Sequence, residues 1–252
     1  MRRWLPLLAL CLGTVQLLVD VTIVNVALPQ MALALHTSFS SLQWVVDGYA
    51  LSLAALLLGI GSLADLSGHR RVYVAGLAVF AAASFACGIS PSPAVLITAR
   101  IVQGLGGAAM LATTFALLNE SYHGRDRGTA YGVWGAVAGA SAAIGPIVGG
   151  ILTEGISWRW IFFVNLPISA AAIVLSLAVL DPGRPERGRQ VDLPDTVALT
   201  AALGCVTFGL STSTDHGWTA PRTWSMFVSS TGSVRRRRPG STWPSWLPAS
   251  SA

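Results

Sequence analysis

Apolar residues run through this chain in long unbroken blocks separated by short polar and charged joints, without strict alternation. A helix needs roughly 20 apolar residues to cross the hydrocarbon core of a bilayer. Seven stretches meet that length, at about 5–28, 43–64, 72–89, 94–118, 129–152, 160–180 and 195–213. Strands are excluded, because the runs are continuous and an open sheet would leave backbone groups unpaired in lipid. The pattern predicts an all-α polytopic membrane bundle.

Composition agrees with that reading. With 53% hydrophobic residues, 11% charged residues and a mean hydropathy of +0.62, the 252 residues do not describe a soluble domain. The sixteen basic residues are all arginine and the net charge is +5. Most of them sit in short joints between apolar blocks, so they imply a membrane orientation rather than a nucleic-acid partner. With the N-terminus inside, the cytoplasmic side holds Arg2, Arg3, Arg70, Arg71, Arg125, Arg127, Arg184, Arg187 and Arg189. The first three outer loops hold only Arg159. Arg2 and Arg3 ahead of LPLLALCLG look like the start of a signal peptide, but apolar sequence continues to Leu28 with no small-residue cleavage site, so a retained span is expected.

Charged residues inside spans need a reason. Asp20 and Arg100 fall at about 12 Å and 9 Å below the same outer surface, counting 1.5 Å per residue. Gly13 and Gln16 share the Asp20 face; Gln103, Gly104 and Gly107 follow Arg100 at helical spacing. Two readings fit: a static buried ion pair that fixes helix packing, or a protonatable carboxylate and a cation lining a polar cavity. Asp47, nearer the outer mouth of the second span, reads equally as an interface anchor or a cavity residue. Cys11, Cys87 and Cys205 all fall within spans without metal-ligand spacing and read as small packing residues, and no metal site is expected.

Two segments carry further structure. In the fifth span, Gly135 with Gly139 and Gly145 with Gly149 are small residues four apart that let a neighbouring helix approach closely, and Pro146 removes a backbone donor and is expected to bend the helix. Between the second and third spans, GSLADLSGHRR from Gly61 to Arg71 reads as a cytoplasmic turn. Asp65 there ends a helix, where the dipole disfavours a negative charge, so it needs Arg70, Arg71 or a neighbouring helix N-terminus as compensation. Gly61 and Gly68 supply close approach and turn geometry. GSLADLSGHR and GILTEGISWR, on opposite membrane faces, share four of ten positions, as an inverted three-plus-three repeat requires.

These residues resemble the major facilitator superfamily, specifically its fourteen-span drug:proton antiporters. The resemblance rests on LVDVTIVNVALP in the first span, QWVVDGYAL opening the second and GSLADLSGHRR in the turn. It extends to LITARIVQGLGGAAM in the fourth span, GASAAIGPIVGG in the fifth and SWRWIFFVNLP after it. It implies alternating-access efflux of small drug-like molecules across the cell membrane, with a proton gradient as energy source and no cofactor. Asp20 and Arg100, with Gln103 and Asp47 beside them, would serve proton coupling and the cavity. Gly61, Asp65, Gly68, Arg70 and Arg71 would form the gating turn, and Gly145, Pro146, Gly149 and Gly150 the antiporter motif of the fifth helix. Leu66 stands where the family places a basic residue, which leaves the clasp one partner short.

The expected organisation is a six-helix bundle over 1–180, a cytoplasmic linker over 181–194, a seventh span over 195–213 and a non-membrane, aberrant or disordered tail over 214–252. The family has two six-helix bundles, whereas this sequence holds one. With seven spans, Arg235 to Arg238 would lie outside, against the charge rule, so a truncation or a shifted reading frame is expected. The alternative to a working exporter is a non-transporting membrane fragment, or a half-transporter that pairs with a second half. An enzyme is not expected, because no paired Ser and His, metal cluster or HExxH is present.

Overall fold

The computed structural model describes residues 2–181. The linker after Asp181, the seventh span and the tail lie outside the described residues. A short 3-10 turn, Arg2–Trp4, leads into α1 (Leu5–Ala34), followed by α2 (Phe39–Ser67), α3 (His69–Gly88), α4 (Pro93–Ser121) and α5 (Gly124–Gly155). The sixth span is α6 (Trp160–Phe163) and α7 (Asn165–Val179). The six spans are long and apolar enough to cross a membrane, and no strand occurs among the described residues.

Local chemistry sets the boundaries. Ser38 caps α2 by accepting from the Ser41 N–H at 3.3 Å, and Ser92 caps α4, which opens on Pro93. A single residue, Gly68, reverses the chain between α2 and α3 at φ 96°, a conformation that a side chain would strain. Gly61 and Asp65 therefore lie within the last turns of α2, and the expected eleven-residue turn shrinks to one residue. The sixth span breaks at Val164 because Pro167, four residues after Phe163, has no N–H to give its carbonyl. Pro146 lies inside α5, which continues unbroken around it.

Helices α1 and α4 form the centre, with 61% of their most apolar window buried, against 6% for α2 and 17% for α5. On one side α1 packs on α5 and α7; on the other α4 packs on α2 and α3. Backbone-close crossings hold two of these seams. A Cβ on Gly106 would lie 2.7 Å from the Phe80 nitrogen and 2.8 Å from the Gly76 oxygen, and one on Gly76 would lie 2.9 Å from the Gly106 oxygen. On α5, Gly145 and Gly149 face Val19, Thr22 and Ile23 of α1. Gly135, Gly139 and Gly150 have no neighbour within 4 Å of an added Cβ among the described residues, so only one of the two expected glycine pairs seats a helix. The same holds for Gly61, whose expected close approach is not made.

Candidate functional site

Between these seams lies a polar cluster walled by apolar side chains. Asp20 of α1 is fully buried and Arg100 of α4 is 1% exposed, and Arg100 Nη1 donates to Asp20 Oδ2 at 2.5 Å. The depth counting placed them level, and they meet. Burying either charge alone in hydrocarbon would be costly, and a pair is tolerated only when hydrogen bonds fill the remaining positions. Here they do. Gln103, one turn after Arg100, donates through Nε2 to Asp20 Oδ1 at 2.9 Å and accepts from Arg100 Nη1 at 2.7 Å. Arg100 Nε donates to the Val45 carbonyl of α2 at 3.1 Å, and its guanidinium lies 4.1 Å from the centre of the Tyr49 ring.

Two members carried no role in the sequence reading. Asn165, the first residue of α7, donates through Nδ2 to Asp20 Oδ1 at 3.0 Å and to Ser84 Oγ of α3 at 3.4 Å. Ser84 also accepts from Gln103 Nε2 at 2.9 Å. Their signal was a polar residue inside an apolar run, in AAASFACG and in FFVNLP. The break at Val164 places Asn165 at the head of α7, against Asp20. Gln16, on the Asp20 face, turns instead to α7, donating to Ser169 Oγ at 2.7 Å. Asp47 sits half-buried on α2, two residues before Tyr49.

The end of the bundle at the α2–α3 turn holds a second cluster. His69 opens α3 with Nδ1 2.6 Å from Glu120 Oε1 of α4 and Nε2 3.2 Å from Asp65 Oδ1 of α2. Asp65, for which Arg70, Arg71 or a neighbouring helix N-terminus was expected as compensation, thus meets His69 at the head of α3. Arg70 donates instead to the Leu177 carbonyl at 2.5 Å, in the last turn of α7 where the helix dipole favours a cation, and Arg71 is exposed. His69 and Glu120 were missed because the eye in GHRR goes to the arginines. At the opposite end Arg159 donates to the carbonyls of Gly88 and Ser90 at 3.3 and 3.0 Å, closing the C-terminus of α3.

The six-span bundle encloses a buried carboxylate–guanidinium pair, and comparison with known proteins gives its family. The family model described as Major Facilitator Superfamily matches residues 10–249. The chain belongs to the major facilitator superfamily. It is 39% identical over 223 residues to the tetracenomycin C resistance and export protein of Streptomyces glaucescens, covering 88% of this chain and 41% of that protein. It is 38% identical over 220 residues to the multidrug resistance protein Stp of Mycobacterium tuberculosis, covering 87% and 41%. With the cephamycin export protein CmcT of Amycolatopsis lactamdurans it shares 42% over 202 residues, 79% of this chain and 42% of the relative. The chain thus spans about two fifths of the length of these relatives. A crystal structure of the peptide transporter POT in complex with sulfate has the same fold, with a TM-score of 0.67 at 16% identity over 91% of this chain and 50% of that one. A superfamily transporter of this kind is a multi-pass membrane protein.

The site's chemistry follows from its members. Arginine stays charged, amides and hydroxyls exchange hydrogen bonds, and Asp20 is the member whose ordinary chemistry is to take up a proton. No group of His, Cys, Asp and Glu suited to a metal occurs among the described residues.

Proposed function

We propose that this chain supplies the N-terminal bundle of a proton-coupled exporter of small drug-like molecules, working by alternating access in the cell membrane with its N-terminus cytoplasmic. The observation that carries the reading is the Asp20–Arg100 pair, which puts a protonatable carboxylate against a fixed cation in the middle of an apolar bundle. Proton uptake would remove the attraction that holds α1 to α4, and proton release would restore it. The printed names of the relatives, which include resistance and export proteins, support drug-like cargo. The His69 clasp, holding the cytoplasmic ends of α2, α3 and α4, would stabilise one closure state.

The test uses vesicles carrying the full-length exporter whose N-terminal bundle is this sequence. In Asp20→Asn, proton-driven dye efflux should vanish while energy-independent exchange of dye persists. Proton-driven efflux that continues in this variant would overturn the coupling role. A half-transporter that requires a second chain is the competing reading, favoured by apolar faces of α2 and α5 left uncovered among the described residues, where Leu58 and Leu63 are 49% and 51% exposed and Ile147 and Ile151 are 64% and 67% exposed. Efflux restored by co-expressing a separate second bundle would establish it.

A further inference from the structure

The hydrogen bonds around Asp20 suit one protonation state. Its three partners all donate: Arg100 to Oδ2, and Gln103 and Asn165 to Oδ1. A carboxylate accepts all three, but a carboxylic acid needs an acceptor for its own hydrogen. Arg100 has none to offer, so a proton on the remaining Oδ2 position would find no acceptor among these three partners. On the Oδ1 side one of two amides must turn round.

Gln103 is locked in place. Its Oε1 accepts from Arg100 Nη1 at 2.7 Å and from the Cys87 thiol at 3.7 Å, while its Nε2 serves both Asp20 and Ser84. Rotating that amide would set its NH2 against the guanidinium and forfeit the whole set. Asn165 stands differently. Its Nδ2 serves Asp20 and, at 3.4 Å, Ser84, so a half-turn forfeits one long bond besides the one that protonation already ends. The Ser84 hydroxyl can both accept and donate, and can follow the turn by donating to the incoming Oδ1.

We propose that Asn165 is the positioning residue that reads the proton on Asp20: it donates through Nδ2 to the carboxylate and, with its amide turned, accepts through Oδ1 from the carboxylic acid. The inference rests on Asp20 being the proton site and adds how the sixth span registers the proton. One proton from solvent adds to Asp20 Oδ1, and no other covalent bond changes. Because Asn165 heads α7 at the break after α6, a proton on the first helix reorganises the start of the last described helix.

The full chain in lipid bilayers tests this by two spectroscopic readouts taken across the same pH range. The infrared C=O band of protonated Asp20 is assigned by its loss in Asp20→Asn, and the side-chain ¹⁵N resonance of Asn165 is followed in parallel. The two should change together in the wild type, and the Asn165 resonance should stay fixed in Asp20→Asn. In Asn165→Leu the Asp20 acid band should move to the higher frequency of an acid whose hydrogen has lost its acceptor. An Asn165 resonance that stays still while the Asp20 band appears would overturn the proposal and leave proton coupling intact. An Asp20 band absent at every pH would sink both. The wild-type resonance decides the matter even if the leucine variant fails to fold.

Discussion

Neutralising one member of the Asp20–Arg100 pair should destabilise the chain far more than removing both. At 2.5 Å and an effective dielectric of about 20, the Coulomb attraction is on the order of 6 to 7 kcal/mol, offset by the desolvation of both ions. Asp20→Asn keeps the shape but replaces one charged acceptor oxygen with an NH2, so the three donated bonds to this side chain cannot all be kept. It also strands a guanidinium that is 1% exposed. Loss of one partner from such a pair costs about 3 to 5 kcal/mol, whereas exchange of both for apolar groups is close to neutral. Asp20→Asn and Arg100→Met should each fall in the larger range, and the Asp20→Leu, Arg100→Met double variant should recover most of the loss. The assay is reversible unfolding in mixed micelles with increasing dodecyl sulfate, followed by tryptophan fluorescence. Trp134 is a suitable reporter because its indole N–H bonds Thr14 across the α1–α5 seam at 2.8 Å. An ordinary interhelical hydrogen bond in a membrane is worth about 0.6 kcal/mol and at most about 1.7. Single-variant losses within that range would show that the pair acts as a hydrogen bond in a wet site, refuting the argument from buried charge. A double variant as damaged as the sum of the singles would refute it too.

Glycine substitutions should separate seams from free faces: Gly106→Val, whose added Cβ meets α3 backbone that no rotamer change can move, should lose about 1 to 3 kcal/mol in the same titration. Gly135→Ala, with nothing within 4 Å, should be neutral or gain up to about 1 kcal/mol through helix propensity. Burial pushes the Tyr122 phenol above its usual value near 10, outweighing the Leu7 N–H that donates to its oxygen and favours the phenolate; the hydroxyl itself donates to the Arg3 carbonyl, both bonds being 3.0 Å. The neutral phenol is the form the fold holds, so its contribution is complete below about pH 10 and lost as pH rises through the raised value. Alkaline titration of tyrosinate absorbance should therefore show a late-titrating phenol that is missing in Tyr122→Phe.

Depth along a helix was legible in the sequence, and rotation about it was only partly so. Rise per residue put Asp20 and Arg100 level, and helical spacing put Gln103 on the same face, and all three meet in the structure. The six expected spans that fall among the described residues were also legible, and only their ends differ; the span expected over 195–213 lies outside those residues. The first helix runs to Ala34 rather than Leu28, because helical hydrogen bonding persists where apolarity stops, past Pro29 and Gln30. Ser84 and Asn165 escaped because apolar content cannot say which face of an all-apolar helix meets which neighbour. The glycine pairs of α5 show the same limit: Gly135/Gly139 and Gly145/Gly149 are equivalent as sequence, yet only the latter meets α1. The backbone-close crossing of Gly76 on Gly106 joins two consecutive helices at points well separated along the chain, so no local spacing announces it. At the α2–α3 turn a compensating partner for Asp65 was foreseen, but the contact of His69 with Glu120 was not, because a histidine against two carboxylates is a property of three helix ends brought together.

The cluster divides the bundle into unequal parts. Asp20 ties in α1, Val45 and Tyr49 tie in α2, Ser84 ties in α3, Arg100 and Gln103 tie in α4, and Asn165 ties in α7. These elements are linked to one carboxylate through residues they share, since every hydrogen bond in the cluster other than Arg100 Nε to Val45 shares an atom with another, and that one shares the Arg100 side chain. Helix α5 is the exception, held chiefly on α1 through Gly145, Gly149 and the Trp134–Thr14 bond. Glycine contacts are short-range and almost insensitive to charge, so the α1–α5 seam should persist whichever protonation state Asp20 adopts. A proton-driven rearrangement would then change the packing of α1 against α4 and α7 while α5 travels with α1, which makes α1 and α5 one moving unit rather than two.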